Sequence, residues 1–283
     1  MSDYLEPAKI KRAEPLWNPV EITAKLWKNR ELIRQFIRRE VSGRYKGSYL
    51  GIVWSFLTPL FMLAVYTFVF SIVFKARWGT GSGGKVEFAL ILFCGLTTFN
   101  IFAECLGRAP GLIVGNVNYV KKVVFPLEIL PVVSLGTALV QAGINLAILV
   151  VSLIFFLRVF NWTIVFLPFV LLPLLLLSLG VGWFFASLGT FLRDIGHLLG
   201  ILIQMLMFMT PIFYPITAIP QRLQWVFYLS PINYVVEDMR RIVVWGQMPD
   251  WRWLLVGTLF GLVVAVLGYT WFEKTRGGFA DVL

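Results

Sequence analysis

Charged side chains are scarce in this sequence: Asp, Glu, Lys and Arg together make up only 14% of its 283 residues. A soluble domain carries about 25% charged residues, so too few polar groups are present to cover a water-soluble core of this size. Hydrophobic residues account for 58% of the chain, and this much apolar surface also excludes intrinsic disorder. The composition therefore predicts a membrane protein.

Histidine and cysteine are almost missing. The chain has one histidine, His197, and two cysteines, Cys94 and Cys105. A zinc site or a histidine-dependent nucleophile would have to be built around that single imidazole. Both cysteines lie in or beside an apolar run, where a disulfide framework is not expected. The polar first 50 residues also lack the short apolar core of a secretory signal peptide.

The net charge of +10 would ordinarily suggest a nucleic-acid partner. Because charged residues are so few in total, a membrane explains the basic balance better, and no nucleic-acid partner is expected. The glycine-rich stretch at 79–86 fits the spacing of a phosphate-binding loop, but Val86 stands where such a loop needs Ser or Thr for Mg²⁺. The chain is therefore expected to bind no cofactor and no metal of its own.

Six apolar stretches qualify, or come close, as membrane spans, since a helix needs about 20 residues to cross a bilayer. They are residues 51–74, 86–104, 127–157, 163–192, 198–214 and 253–272. The fifth stretch is short, and Pro168 and Pro173 are expected to kink the fourth. The predicted fold class is an all-α integral membrane protein with six transmembrane helices.

The distribution of basic residues predicts the orientation. Six spans place both termini on the same side of the membrane. That side holds 17 Lys and Arg residues and the other side holds eight; eleven of the 17 lie in residues 1–50. Because cytoplasmic loops carry the excess of Lys and Arg, both termini are predicted to be cytoplasmic.

Residues 1–50 are predicted to form a cytoplasmic tail, and residues 51–283 the transmembrane domain. In the tail, Asn18-Pro19 followed by Glu21 is typical of a helix start. Apolar residues then recur at helical spacing with Lys and Arg between them, which predicts an amphipathic helix in the cytoplasmic membrane interface. A soluble helix docked on a partner is the alternative, and the two are compatible.

Residues 211–250 are aromatic and interrupted by prolines. They predict two short helices, near residues 225–229 and 234–244, separated by Ser230-Pro231. Helices this short cannot cross a bilayer, so they are expected to dip into the outer leaflet and return before the last span. Irregular backbone at that depth needs a protein-buried or water-lined setting, which predicts a structured outer mouth.

Several motifs resemble those of a known family. Residues 44–54 (RYKGSYLGIVW), followed by Pro59, resemble the start of the first span in membrane subunits of type-2 ABC exporters, above all those for O-antigen, capsule and teichoic-acid polymers. Residues 118–126 (NYVKKVVFP) and 191–195 (FLRDI) are similar to cytoplasmic motifs of that family. Residues 211–250 resemble its external re-entrant helices.

The resemblance implies a homodimer in the bacterial inner membrane, working with two separate ATPase subunits that bind ATP and Mg²⁺. It also implies export of a polysaccharide attached to a polyprenyl diphosphate lipid. The positions of the acidic residues also indicate that the energy for transport comes from another protein, because an ion-coupled pump keeps carboxylates in its membrane core. Here Glu104 is nearest to such a position, and Gln141 and Asn145 are expected to bridge helices by hydrogen bonds.

Other functions stay open at this point. O-antigen is not distinguished from wall teichoic acid or capsule, and the same fold could export drugs or other lipids. An integral-membrane enzyme acting on polyprenyl phosphates is a further alternative. It would need clustered acidic residues for a metal at the interface, and the nearest pair, Glu237 and Asp238, is predicted to lie outside.

The first candidate site lies in the cytoplasmic loop 106–126, where a short element at 111–126 could fit a groove on an ATPase subunit. Apolar side chains would form its knob and lysines its rim. Ordinary positive-inside charge is the alternative, and residues 193–194 form either a second contact or a capped turn. The residues assigned to ATPase coupling are Tyr119, Val120, Lys121, Lys122, Val123, Arg193 and Asp194.

The second candidate site is a basic cluster just before the first span. Guanidinium groups suit phosphate oxygens because their donors form a planar fork, and a polyprenyl diphosphate would present its head at this depth. General attraction to anionic phospholipids is the alternative. The residues assigned to the lipid diphosphate are Arg38, Arg39, Arg44 and Lys46.

The third candidate site is a conduit for sugar polymers, whose C–H faces lie well on aromatic rings. On the first span, a stripe that begins at Trp54 repeats at steps of three and four residues and therefore shares one helix face. Aromatic packing between helices is the alternative. The residues assigned to the channel lining are Trp54, Thr58, Phe61, Tyr66, Phe68, Phe208, Phe213 and Tyr214.

Overall fold

The computed structural model describes residues 18–44, 46–73, 85–121, 125–228 and 230–283. The side chains of residues 71, 72, 85, 226 and 228 are outside this description. Most of the glycine-rich stretch at 79–86 also lies outside it, as do Tyr45, Lys122 and Val123. Every regular element within the described ranges is helical, which confirms the all-α fold class.

Within the described residues, five helices are long and apolar enough to cross a membrane, and a sixth apolar helix is shorter. The long ones are Gly51–Phe70, Val86–Arg108, Ile129–Leu157, Trp162–Phe191 and Trp251–Val282, and the shorter one is Ile195–Met209. The protein is therefore a multi-pass membrane protein, and its helices correspond in order to the six stretches predicted from the sequence.

The α-helices follow one another along the whole chain. In order they are α1 (Pro19–Lys28), α2 (Arg30–Gly43), α3 (Trp54–Tyr66), α4 (Lys85–Arg108), α5 (Gly111–Val114), α6 (Val117–Val120), α7 (Ile129–Ser152), α8 (Leu167–Phe191), α9 (Ile195–Met209), α10 (Gln221–Tyr228), α11 (Pro231–Arg240), α12 (Trp251–Thr275) and α13 (Phe279–Val282). Wider π turns extend three of them, at Thr67–Val73, Leu153–Leu157 and Arg241–Trp245. The 3₁₀ turns are Gly51–Val53, Trp162–Phe166, Ile216–Ala218 and Arg276–Gly278.

The amphipathic segment forms as predicted, but in two pieces. The Asn18 side chain accepts a hydrogen bond from the Val20 amide and Pro19 takes the first position of α1, so the predicted helix start is confirmed. Asn29 then separates α1 from α2. The second helix packs on α7, where the missing side chain of Gly136 leaves room for Ile37: a Cβ there would lie 2.3 Å from Ile37 Cδ1.

The centre of the bundle is α4, because 78% of its most apolar stretch is buried, against 17 to 33% in the other four long helices. Beside it, α8 and α12 form the closest helix pair. A Cβ on Gly268 would lie 2.0 Å from the Gly180 carbonyl oxygen, so only glycine permits this approach of the two backbones.

Prolines in the first and fourth spans have different consequences. Pro168 was expected to kink the fourth span, but it lies in the first turn of α8, where its missing N–H removes no intrahelical bond. Pro59 lies inside α3 and leaves the Ser55 carbonyl without its usual partner. Gln141 of α7 donates to that carbonyl at 3.2 Å and to Asn145 at 3.1 Å. The predicted helix-bridging role of Gln141 is thus observed, and its physical cause is Pro59.

The segment before the last span folds as the two short helices α10 and α11, with Ser230 at the N-cap of α11 and Pro231 at its first position. The predicted break between them is therefore in the right place. The observed helices are longer than predicted, since α10 starts at Gln221 and α11 continues as a π turn to Trp245.

Candidate functional site

The element predicted to couple to an ATPase folds as α5 and α6, and it docks on the amphipathic helix α2. The Tyr119 ring stacks on Phe125 with centroids 4.4 Å apart, and lies 5.7 Å from the Phe36 ring. The Tyr119 hydroxyl accepts a hydrogen bond from Arg39 Nη1 at 3.1 Å, while the Arg39 guanidinium lies 4.2 Å from the centre of Phe36. Phe36, Arg39, Tyr119 and Phe125 are called the aromatic joint below.

This geometry differs from the exposed knob expected at Tyr119. Its ring is half-buried in the aromatic joint, and Val120 is also half-buried, whereas Lys121 is exposed. The predicted positions Lys122 and Val123 lie outside the described residues. The coupling element therefore contacts α2 directly.

The turn at residues 193–194 joins α8 to α9, and both Arg193 and Asp194 are exposed. Asp194 takes the N-cap position of α9, but its side chain makes no capping hydrogen bond. Both side chains are thus exposed, and the turn lacks the side-chain cap that was the alternative to a second contact.

Arg276, at the end of α12, holds the other side of the coupling element. It donates to the Phe125 carbonyl at 2.9 Å and to the Glu128 carboxylate at 3.0 Å. Glu128 is only 6% exposed, and its backbone carbonyl accepts a hydrogen bond from the Trp183 indole at 2.9 Å. The segment predicted to couple is therefore in contact with α2 through the aromatic joint and with the end of α12 through Arg276.

Four charged residues form an inner ion cluster between α2, α4 and the start of the first span. Glu104 pairs with Arg44 and, at 3.5 Å, with Arg108. Arg108 also pairs with Glu40 at 2.8 Å. The second carboxylate oxygen of Glu40 accepts a hydrogen bond from the Thr137 hydroxyl of α7 at 2.9 Å. Two arginines and two glutamates balance within this cluster, which lowers the cost of holding charge near the membrane.

The four residues predicted to bind a lipid diphosphate lie in different surroundings. Arg39 belongs to the aromatic joint and Arg44 to the inner ion cluster, while Arg38 and Lys46 are exposed. Arg39 is exposed as well, so three of the four side chains remain open to an anionic lipid head, while the Arg44 guanidinium faces the Glu104 carboxylate.

The aromatic stripe of the first span faces outward from the single chain. Trp54, Phe61 and Phe68 are 37%, 60% and 57% exposed, although this span is exposed on other faces too. Thr58 and Tyr66 contribute instead to a cavity against α4 and α7.

The aromatic residues after α9 meet the end of the first span. Phe213 stacks on Phe70 at 5.7 Å and on Phe208 at 5.6 Å, and the Tyr214 hydroxyl donates to the Phe208 carbonyl. Phe208 itself is 60% exposed. The structure thus connects the two predicted parts of the channel lining through a chain of rings.

The most buried charge of the described chain was not predicted from the sequence. Arg240 of α11 has no exposed surface, yet it was counted only as an external basic residue. Its guanidinium donates to the carbonyls of Pro211 at 2.8 Å, Ile212 at 3.0 Å and Ile91 at 3.3 Å, and it pairs with Glu237 at 3.3 Å. Only the run of apolar residues that follows it hinted that α11 would be buried.

Asp238, one residue beside Glu237, is also buried. Its carboxylate accepts a hydrogen bond from the Asp250 amide at 3.0 Å, and burial raises its pKa above the ordinary value for Asp. This contact ties α11 to the start of α12. Among the described residues, no three His, Cys, Asp or Glu side chains cluster closely enough to hold a metal ion.

Comparison with known proteins agrees with this architecture. Residues 31–244 match the family model described as "ABC-2 type transporter". The chain is 25% identical to an O-antigen export system permease protein of Myxococcus xanthus over 93% of its own length and 99% of that protein. It is 23% identical to a permease of the same name from Klebsiella pneumoniae, over 89% and 95% of the two chains, and 26% identical to a polysialic acid transport protein of Escherichia coli, over 84% and 90%. With six apolar helices in the right order and a family match across most of its length, the chain belongs to the ABC-2 type transporter family.

Proposed function

We propose that this chain is the membrane subunit of an exporter for polysaccharide attached to a polyprenyl diphosphate lipid. The observation that supports this most is the similarity to O-antigen export permeases over nearly the full length of both chains. The exposed aromatic stripe of the first span suits such a cargo, because sugar C–H faces pack on rings. The chain acts in the bacterial inner membrane with both termini in the cytoplasm.

The energy for transport comes from a partner. Membership of the ABC-2 family implies an ATPase subunit, and we place two of them, with their ATP and Mg²⁺, below a homodimer of this chain. They contact the surface around α5, α6 and residues 193–194. The aromatic joint and Arg276 then carry the motion of that surface into α2, α8 and α12.

A capsule-type or teichoic-acid polymer is the nearest alternative cargo, and the similarity to a polysialic acid transport protein favours the first of these. Export of a drug or a simple lipid is a more distant alternative. A membrane enzyme acting on polyprenyl phosphates is the most distant alternative.

The deciding experiment uses inverted vesicles that contain this chain with or without its partner ATPase. With the ATPase and ATP present, lipid-linked polysaccharide should become protected inside the vesicles. Vesicles that lack the ATPase, or receive a non-hydrolysable ATP analogue, should protect none. Protection of a drug or a phospholipid but not of the polymer would overturn the proposed cargo.

The aromatic stripe makes a separate prediction. Replacing both Phe61 and Phe68 by alanine should slow polymer export several-fold while leaving the amount of inserted protein unchanged, because both side chains are mostly exposed. The matched control is Phe56→Ala with Leu60→Ala, which removes similarly exposed side chains from another face of the same helix. Equal export by the two double variants would show that the stripe does not line the conduit.

A further inference from the structure

Two adjoining cavities, of about 300 and about 250 Å³, lie between α3, α4 and α7. They share four wall residues, namely Thr97, Asn100, Gln141 and Asn145. The first cavity reaches Glu104, and the second reaches Arg44, Thr58 and Tyr66. The two cavities are called the polar pocket below. Their volumes stand at or just below the low end of the range of about 300 to 1,000 Å³ for small-molecule sites.

The polar pocket is unusual because its walls come from membrane-spanning helices. Polar side chains inside a membrane are costly, and those that face a cavity commonly mark a substrate path. The Gln141 side chain donates hydrogen bonds to the Ser55 carbonyl and to Asn145, so contacts between the helices already account for this polar residue. Asn100 has no such explanation: it is exposed to the pocket side of α4 although its neighbour Phe99 is only 1% exposed.

Thr97 gives an independent indication. Its side chain is 4% exposed, it contributes to both cavities, and its hydroxyl has no hydrogen-bond partner among the described residues. The adjacent Thr98 satisfies its own hydroxyl by donating to the Cys94 carbonyl at 3.0 Å. A buried hydroxyl without a partner costs free energy, and rotation of the Thr97 side chain would turn this hydroxyl toward the two cavities that the residue lines.

The chemistry of the walls selects the ligand. Amide and hydroxyl groups both donate and accept, as sugar hydroxyls do, and the rings of Tyr66 and Phe93 suit the C–H face of a sugar. The two charges at the end of the pocket, Arg44 and Glu104, already pair with each other, so they favour neither an anion nor a cation, and an acyl chain would leave the amides unpaired. The pocket is also too small for a polymer, which limits it to about one sugar ring.

We propose that the polar pocket binds one sugar unit of the lipid-linked substrate, held by Thr97, Asn100 and Asn145, with the ion pair of Arg44 and Glu104 at its cytoplasmic end. This assignment rests on the proposed function and extends it, because the chain would then recognise the sugar of its substrate as well as the lipid. The pocket lies beside the first span, where the conduit is expected. A sugar would therefore bind there before the polymer enters the conduit.

The test measures binding to the complex of this chain with its ATPase in lipid nanodiscs. The two probes are a polyprenyl diphosphate carrying one N-acetylglucosamine and the same lipid without sugar. The wild-type complex should bind the first probe more tightly. Thr97→Val and Asn100→Leu should each lower the affinity for the sugar-bearing lipid about fivefold, the effect of one lost hydrogen bond, and leave the affinity for the bare lipid unchanged.

Thr98→Val is the matched control and should keep the wild-type preference, because its hydroxyl is already used inside α4. A folding defect would change binding of both probes, so unchanged binding of the bare lipid separates it from loss of the sugar contact. If Thr97→Val and Asn100→Leu both keep the wild-type preference, the assignment is wrong. If the wild-type complex exports polymer in vesicles but shows no preference, only this assignment fails; if it exports none, the proposed function fails as well.

Discussion

Replacing Tyr119 by alanine is expected to lower export by about tenfold while the assembled complex continues to hydrolyse ATP. The ring contributes two aromatic contacts, to Phe125 and Phe36, and each such pair is worth about 0.5 to 1.5 kcal/mol. Their loss weakens the contact between α2 and the coupling element. Every 1.4 kcal/mol lost lowers the equilibrium constant for that contact by a factor of about ten. The measurement is ATP hydrolysis and polymer protection in the same vesicles.

Tyr119→Phe is the control for this prediction. It keeps both ring contacts and removes only the hydroxyl that accepts the hydrogen bond from Arg39, an exposed contact worth about 0.5 to 1.5 kcal/mol at most. Export by this variant should stay within a few-fold of wild type. Equal export by the alanine variant and the wild type would show that force does not pass through the aromatic joint.

Replacing Arg240 by methionine should have the largest effect on folding. Methionine has a similar length but donates no hydrogen bond, so the carbonyls of Pro211 and Ile212 would lose the donor that now binds them. The Ile91 carbonyl, which lies inside α4, would lose its second donor. Each buried group left unpaired costs about 1 to 3 kcal/mol, and the sum approaches the whole stability of many proteins, about 5 to 15 kcal/mol. We expect little folded protein to be recovered in mild detergent.

The neighbouring residue supplies the comparison. Arg241→Met removes the same charge from a side chain that is 36% exposed and 3.9 Å from the buried Asp238 carboxylate. That carboxylate keeps its hydrogen bond from the Asp250 amide, and a long ion pair with one exposed partner contributes about 1 kcal/mol. Its yield and thermal midpoint in detergent should therefore stay close to wild type. Similar yields for the two methionine variants would contradict the role given to Arg240.

Local sequence signals predicted the helices well, because each depends on residues close together in the chain. Asn18 and Pro19 start α1 through contacts within one turn, and Ser230-Pro231 separates α10 from α11 in the same way. The order of the apolar stretches was also correct. The break at Asn29 was missed, since nothing in the periodicity of α1 and α2 interrupts there.

The candidate sites were predicted less completely, because a side chain's partner is often far away in sequence. Tyr119 and Arg39 are 80 residues apart, and Arg240 and Ile91 are 149 apart. Residue type and sidedness suggested that Arg44 would meet a phosphate, but the fold gives it the Glu104 carboxylate. The same limitation hid Arg276, which looked like ordinary positive-inside charge before its contacts with Phe125 and Glu128 were known.

Composition by itself determined that this chain lies in a membrane, since a 14% charged, 58% hydrophobic chain cannot cover itself in water. The spacing of its apolar runs determined how many long apolar helices form and in what order, because span length follows from bilayer thickness. Only the tertiary structure decided which polar groups meet. Packing brings Gln141 to the carbonyl freed by Pro59, Arg240 to three distant carbonyls, and Thr97 to the wall of the polar pocket, and no local pattern records those encounters.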